Sequence, residues 1–132
     1  MLLNLSDLSN EPLYSQVLRQ IRAQILTGHV STGDPIPSIR DLARTYKISV
    51  MTVQRAYDEL IREGLVVARR GKGYYVADLL QSDRDHVSMS HCKDALKLPI
   101  ALALGEGVPA EIIHKLVDEL IQEMTKTKGG EE

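Results

Sequence analysis

Residues 37–73 read PSIRDLARTYKISVMTVQRAYDELIREGLVVARRGKG, and this stretch decides the fold. Residues 38–46 begin with a serine and an aspartate three apart, a pattern that resembles a helical capping box. A turn is expected at 47–48, and residues 49–63 have an N-capping serine followed by apolar side chains at helical spacing. The stretch ends at 69–73 in a basic, glycine-containing tip. This order of helix, turn, helix and hairpin is typical of domains that place one helix in a DNA groove and a wing on the backbone.

A β-hairpin is predicted around the basic tip. Leu65–Arg69 and Tyr74–Ala77 are rich in β-branched and aromatic residues, and Gly71 and Gly73 between them can take positive φ angles. The turn-rich segment before the decisive stretch has room for a short extended piece around Ile36. The wing is therefore predicted to consist of two strands and a basic turn.

The chain has the length of one small domain with an appendage. Residues 1–10 are expected to form a lead-in segment. From Pro12 to Gly28 apolar residues recur at helical spacing, which predicts a first helix. We therefore assign residues 11–78 to a winged-helix domain.

The C-terminal region, 79–125, is expected to contain two helices. The first lies within 82–104, where Pro99 either kinks or splits it because proline removes a backbone hydrogen bond. The second spans 109–125, and the polar tail 126–132 is predicted to be disordered. The predicted fold class is mainly α with a small β-hairpin: a winged helix-turn-helix domain followed by a two-helix C-terminal dimerisation appendage.

Dimerisation is predicted from an apolar stripe on the second of these helices. A two-helix unit cannot bury such a stripe alone, whereas a two-fold partner can. The alternative is that the stripe packs back on its own wing domain. The predicted dimerisation residues are Ile112, Ile113, Leu116, Leu120, Ile121 and Met124.

Charge is distributed unevenly along the chain. The formal net charge is −2, but residues 19–75 hold ten Lys or Arg against five Asp or Glu. A basic module joined to an acidic one fits a phosphate-binding domain with a separate assembly region. No apolar run approaches the roughly 20 residues of a membrane helix, and the start lacks a signal peptide, so no membrane partner and a cytoplasmic location are predicted. The single cysteine, Cys92, has no disulfide partner and is expected to be an ordinary helix residue.

The outer face of the second helix of the decisive stretch carries groups suited to reading bases. Glutamine can pair with adenine, arginine with guanine, and valine or methionine can contact a thymine methyl group. Arginines on the preceding helix and cations on the wing would lie beside this face. The alternative, a merely solvated helix face, does not account for cations on three separate elements.

Several motifs together resemble the winged-helix domain of GntR-family bacterial transcription regulators, over about residues 11–77. They are Pro12-Leu-Tyr, Thr27-Gly28, Gly33-Asp34, Pro37-Ser-Ile-Arg-Asp-Leu-Ala, Thr52-Val-Gln-Arg-Ala-Tyr, Glu63-Gly-Leu and Gly71-Lys-Gly. The resemblance implies a homodimer on a palindromic operator in double-stranded DNA, and in most of the family a repressor. The predicted DNA-binding residues are Ser38, Arg40, Arg44, Ser49, Val50, Met51, Thr52, Gln54, Arg55, Arg70, Gly71, Lys72 and Gly73.

The recognition helix, 49–63, departs from the common family pattern at three positions. Val50 and Met51 stand where many members carry arginine or another polar residue, and Gln54 stands where a second arginine is frequent. The operator is therefore predicted to differ from the one common in the family, with more thymine-methyl contact.

The short C-terminal region is similar to that of the YtrA subfamily. Such a region implies dimerisation and, through the subfamily, control of a membrane-transporter operon. Too few residues remain for a sensor domain, so the sequence assigns no cofactor and leaves a small-molecule effector open, either between the dimer halves or between the two regions.

Other function classes find little support. No nucleotide loop, nucleophile motif or pair of placed carboxylates indicates an enzyme, so no catalytic residue is predicted. His86, His91 and His114 are not spaced as metal ligands, so no metal site is predicted. A winged helix that contacts protein or RNA through its hairpin is the remaining rival, and preference for one DNA sequence would separate the two.

Overall fold

The computed structural model describes the backbone of residues 1–130 and the side chains of residues 1–126. The chain divides into two units, Met1–Ser88 and Met89–Glu132. The elements in chain order are α1 (Leu13–Leu26), β1 (Pro35–Ile36), α2 (Ile39–Tyr46), α3 (Val50–Arg62), β2 (Val66–Arg69), β3 (Gly73–Val76), α4 (Gln81–Gly105) and α5 (Ala110–Gly130). This architecture confirms the predicted fold class, helices with a small winged sheet and a helical C-terminal region.

Both helices of the predicted helix-turn-helix begin at the expected caps. Ser38 Oγ accepts from the backbone N–H of Asp41 at 3.1 Å, and Ser49 Oγ accepts from that of Thr52 at 3.0 Å. A capping oxygen satisfies a backbone donor that has no partner within the helix. Lys47 ends α2 in the left-handed region, at φ 55°, and so makes the turn between the helices tight.

The core of the first unit lies between α1 and α3. Val17, Ile21 and Ile25 of α1 are fully buried, as are the α3 residues that the sequence placed on one apolar face. Those residues are Val53, Ala56, Tyr57 and Leu60. Ile61, four residues after Tyr57 and therefore expected near this face, is 37% exposed and lies at its edge. Burial of one face of α3 leaves the opposite face to solvent.

The small sheet has the strand order β1-β3-β2, and both pairs are antiparallel. Ile36 pairs with Tyr74, which confirms the short extended piece expected at this position. Val66 pairs with Val76, and Arg69 with Gly73, so the hairpin closes at its basic tip. The sheet thereby attaches the wing to the core through the buried side chains of β2 and β3.

The lead-in segment is tied to α1. Leu3 is buried, and the amides of Gln16, Gln20 and Gln24 bind the backbone of residues 6, 4 and 2. Three glutamines at four-residue spacing lie on one side of a helix. The segment is therefore part of the first unit's structure.

In the C-terminal helices, one of the two alternatives for Pro99 is excluded, and part of the predicted tail is helical. Pro99 lies inside α4, which continues unbroken to Gly105, so proline does not split this helix. Helix α5 runs to Gly130, so the segment predicted as a disordered tail is helical over 126–130. Extending an existing helix adds one hydrogen bond for each residue that is ordered, whereas starting a helix orders several residues for one bond. The end of α5 can therefore continue through polar residues. Residues 131–132 lie outside the described part of the chain.

Across residues 1–130, none of the helices combines the length and the apolar character that crossing a bilayer requires.

Candidate nucleic-acid interface

The first turn of α3 presents small polar and apolar groups to solvent. Met51 is 75% exposed and Val50 47% exposed, as a groove-facing position requires. Ser49 and Thr52 share a hydroxyl hydrogen bond of 2.7 Å. One hydroxyl hydrogen is used in that bond, so the pair retains one for an acceptor such as a phosphate oxygen. The four predicted residues of this turn are therefore adjacent and accessible.

Gln54 and Arg55 follow on the same exposed side of α3, and each is held by a neighbour. Gln54 Nε2 donates to Asp58 Oδ1 at 2.8 Å, which leaves its second N–H and its carbonyl oxygen available. The guanidinium carbon of Arg55 lies 3.6 Å from the ring centroid of Tyr14 on α1. The sequence reasoning missed Tyr14, because nothing in the local pattern shows that the start of α1 lies beside α3.

Helix α2 contributes its amino end and two arginines. Ser38 caps the helix through its Oγ, so its predicted DNA contact would use the hydroxyl hydrogen. Arg40 is exposed, and Arg44 forms a surface ion pair with Asp41 on the same helix. Exposed ion pairs of this kind are worth about 1 kcal/mol or less, so a phosphate can replace the carboxylate. Both arginines are therefore able to meet DNA.

The wing turn carries the predicted cations on an exposed backbone. Gly71 and Gly73 have φ angles of 73° and 96°, a region that other residues rarely adopt. The N–H of Lys72 donates to Arg69 O at 2.9 Å and closes the turn. Arg70, Gly71, Lys72 and Gly73 are all exposed. The turn geometry explains why glycines stand at these two positions.

A second arginine-tyrosine contact supports the wing. The guanidinium carbon of Arg69 lies 4.6 Å from the ring centroid of Tyr75, and the Tyr75 hydroxyl donates to Lys72 O at 3.0 Å. The sequence reasoning placed Arg69 among the wing cations but did not identify Tyr75. Side chains alternate along a strand, so Tyr75 lies on the opposite side of the sheet from Tyr74. This alternation is the sequence signal that could have placed Tyr75 on the outer face of the wing.

The candidate interface is rich in cations without carboxylate partners. Within residues 1–126, Arg40, Arg70 and Lys72 form no ion pair with an acidic side chain. The exposed amino end of α3 adds the positive end of a helix dipole. Donors for a polyanion are therefore available on α3, α2 and the wing.

The predicted dimerisation residues divide into two groups in the second unit. Ile113 is half-buried and, together with Leu96 and Ile100 of α4, lines an apolar groove between the two helices. The remaining five are between 44% and 65% exposed. They are Ile112, Leu116, Leu120, Ile121 and Met124. Most of the stripe thus faces outward within this unit.

Groups that would indicate other chemistry are sparse. Over the described residues, no three or more His, Cys, Asp or Glu side chains are grouped as metal ligands would be. Cys92 is exposed, with a free thiol. Burial raises the pKa of the Tyr57 hydroxyl, with the charge of Tyr74 adding to the effect. Tyr57 donates to a backbone oxygen, so this shifted group has a structural role.

Comparison with known proteins agrees with this geometry. Residues 13–76 match the family model described as bacterial regulatory proteins, gntR family. The chain is 34% identical over 122 residues to the HTH-type transcriptional repressor YtrA of Bacillus subtilis (strain 168), a match that covers 92% of each protein. The family and this relative are transcription regulators, not enzymes.

Two solved structures are similar in fold. A GntR family transcriptional regulator from Listeria monocytogenes has a TM-score of 0.71 at 27% identity, covering 87% of this chain and 98% of that one. AraR(DBD) in complex with operator ORX1 has a TM-score of 0.50 at 30% identity, covering 57% of this chain and 93% of that one. The first of these matches extends well beyond the residues that the family model covers.

Proposed function

Because this chain belongs to the GntR family of DNA-binding bacterial regulators, we propose that it represses transcription by binding a palindromic operator as a homodimer. Helix α3 enters the major groove, and the wing tip lies on the adjacent phosphate backbone. The observation that carries the proposal is the exposed amino half of α3, with unpaired cations on α2 and the wing in the same unit.

Base recognition is assigned to α3. Gln54 and Arg55 are the groups able to pair with base edges, and Val50 and Met51 are placed to contact thymine methyl groups. Arg40, Arg44, Arg70 and Lys72 supply phosphate contacts, which fix the register of the protein on the duplex. This division predicts that α3 provides the sequence specificity and that α2 and the wing provide the salt-dependent part of the affinity.

Dimerisation is assigned to the second unit. Five apolar side chains of α5 are exposed there, and α4 exposes Leu98, Leu102 and Leu104. An exposed apolar stripe such as the one on α5 marks an interaction site. A two-fold pair would bury it and place two copies of α3 on two operator half-sites.

Repression is supported by the name of the B. subtilis relative, a transcriptional repressor. A dimer that occupies a promoter excludes the polymerase, and this needs no further domain. Because of the similarity to the YtrA subfamily, we assign the target to a membrane-transporter operon and the site of action to the cytoplasm, where that DNA lies.

The test is selection from random double-stranded DNA with the full chain, followed by affinity measurement at several salt concentrations. A regulator enriches one palindrome, binds it at least about a thousandfold more tightly than random DNA, and loses affinity steeply as salt rises. A variant with Arg40, Arg70 and Lys72 replaced by Ala serves as the control and should lose both specific and nonspecific binding. Equal affinity of the wild type for all duplexes would contradict the proposal.

A further inference from the structure

The contact between Tyr14 and Arg55 joins the start of α1 to the exposed face of α3. The guanidinium carbon lies 3.6 Å from the ring centroid, which is a close stacking distance. Tyr14 is half-buried, whereas Arg55 is exposed. An arginine side chain with several rotatable bonds is thus held against a ring that belongs to a different helix.

The helix that carries the ring is itself fixed relative to α3. Val17 of α1 and Val53 of α3 are fully buried in the same core. Further along both helices, Arg22 donates two hydrogen bonds of 2.8 Å to the Glu63 carboxylate. Because α1 is held against α3, the backbone of Tyr14 keeps its position when the Arg55 side chain moves. The stack therefore favours one position of the guanidinium.

We propose that Tyr14 is a positioning residue for DNA recognition, which holds the Arg55 guanidinium ready to bind a base edge of the operator. The inference rests on the proposed function, because it assigns a role within the same interface. A stacked ring covers one face of the guanidinium and leaves its in-plane N–H donors open. Arg55 is thus ordered without using the groups that DNA would need.

Other arginines of the same surface are held differently. Arg62 is paired with Glu59 and Arg44 with Asp41, so their donors are occupied by carboxylates. The carboxylate of Asp58, three residues further along α3, accepts from Gln54. Arg55 forms no ion pair among the described residues. Its guanidinium is therefore the ordered cation of α3 that has free donors.

Ordering before binding raises affinity because less side-chain entropy remains to be lost in the complex. A cation-ring contact changes an equilibrium constant by about threefold when exposed and by up to about thirtyfold when water is excluded. The hydroxyl of Tyr14 has no part in this effect. Phenylalanine should therefore replace tyrosine, and an aliphatic side chain should not.

The experiment is a double-mutant cycle on the palindrome selected by the wild-type chain. Tyr14→Phe should bind within about twofold of the wild type, whereas Tyr14→Leu should lose between about threefold and thirtyfold. In an Arg55→Ala background, Tyr14→Leu should cause no further loss. The base preference at the position read by Arg55 should weaken in Tyr14→Leu and in Arg55→Ala alike. Thermal denaturation checks the fold, and Tyr14→Met replaces the leucine variant if that variant unfolds.

Three results would overturn the inference. An equal loss from Tyr14→Leu with and without Arg55 would mean that the ring acts through another group. A loss in Tyr14→Phe as large as in Tyr14→Leu would mean that the hydroxyl contacts DNA directly. An unchanged affinity in Tyr14→Leu would mean that the stack has no role in binding. Failure of the wild type to enrich any sequence would instead contradict the proposed function, so the two failures are distinguishable.

Discussion

Gln16, on α1, exchanges two hydrogen bonds with the backbone of Ser6. The Ser6 N–H donates to Gln16 Oε1 at 2.9 Å, and Gln16 Nε2 donates to Ser6 O at 2.9 Å. Gln20 makes the same pair of bonds with Asn4, both at 2.7 Å. Four residues of helix rise about 6 Å, and two residues of extended chain span about 6.6 Å. The spacing of the glutamines on α1 therefore matches the spacing of the backbone groups that they bind. The glutamine amides thus pair with the backbone N–H and C=O groups of the lead-in segment, as a neighbouring β-strand would.

Replacing Gln16 by leucine should lower the free energy of unfolding by about 2 kcal/mol, measured by urea denaturation. Gln16 is only 3% exposed, and its Nε2 also donates to Glu11 O at 2.8 Å, so the change removes three hydrogen bonds and leaves backbone groups unpaired. Gln24→Leu is the matched control. Gln24 donates a single exposed bond to Leu2 O, and its loss should lower the free energy of unfolding by less than about 1 kcal/mol. Equal stability of the two variants would contradict this account.

Tyr57→Phe should lower the free energy of unfolding by about 1 to 2 kcal/mol, measured in the same way. The fully buried Tyr57 hydroxyl donates to Pro37 O at 2.7 Å, so phenylalanine leaves that carbonyl without this donor. The ring contact with Tyr74, at 5.0 Å between centroids, survives the change. Tyr75→Phe removes a hydroxyl that lies on the exposed wing and should have little effect. A large loss in both variants would show that wing stability, rather than burial, controls the result.

The stabilising effect of the Tyr57 hydroxyl should disappear in alkali. Burial raises the pKa of this hydroxyl in the folded chain above its usual value of 10.0, whereas the unfolded chain titrates near the usual value. The unfolded state therefore loses its proton first, and stability falls as pH rises above about 10. The difference in unfolding free energy between wild type and Tyr57→Phe should be constant below pH 9 and shrink above pH 10. A difference that grows with pH would contradict the assignment.

The sequence was sufficient where local chemistry decides structure. Ser38 and Ser49 cap their helices as predicted, and the buried face of α3 follows its 3.6-residue period. It was insufficient where two distant segments meet. Nothing near Tyr14 or Gln16 in the chain indicates Arg55 or Ser6, because such contacts depend on how α1 lies in the folded unit.

The C-terminal helices show a related limit of sequence reasoning. The sequence left open whether Pro99 kinks or splits α4, and the helix continues through it without a split, because a long helix with hydrogen bonds on both sides tolerates the loss of one. The apolar period of α5 predicted the stripe but not its division. Ile113 faces the groove beside α4 while Leu116 is exposed, and that distinction depends on the position of the neighbouring helix.

Arg70→Ala and Gln54→Ala should affect DNA binding in different ways. Arg70 lies on the exposed wing turn, so its loss should weaken binding similarly on all sequences and reduce the salt dependence by about one unit of slope. Gln54 lies on α3 with a free carbonyl and one free N–H, so its loss should relax preference at one base pair. Both effects are measured by competition binding across a set of single-base operator variants. A shifted base preference in Arg70→Ala, with none in Gln54→Ala, would reverse the assignment of wing and helix.

Leu116→Glu should convert the proposed dimer into monomers. Leu116 is 47% exposed on α5, in the middle of the outward apolar side chains. A two-fold interface would bury the new carboxylate twice without a partner, and each buried charge costs several kcal/mol. Light scattering after size exclusion should give a mass near 14.7 kDa instead of twice that value. Affinity for the full palindrome should fall by at least about a hundredfold, because two separate monomers then bind the half-sites independently and the gain from linking them is lost.

Gln122→Glu is the matched control for this change. It adds the same negative charge to α5, at an exposed position outside the apolar stripe. It should leave both the dimer and the operator affinity unchanged. Binding to an isolated half-site should be equal in wild type, Leu116→Glu and Gln122→Glu, because the first unit is not altered. A Leu116→Glu chain that remains dimeric would show that the exposed face of α5 is not the dimer interface. A wild-type chain that is monomeric at micromolar concentration would show that the proposed dimer does not form.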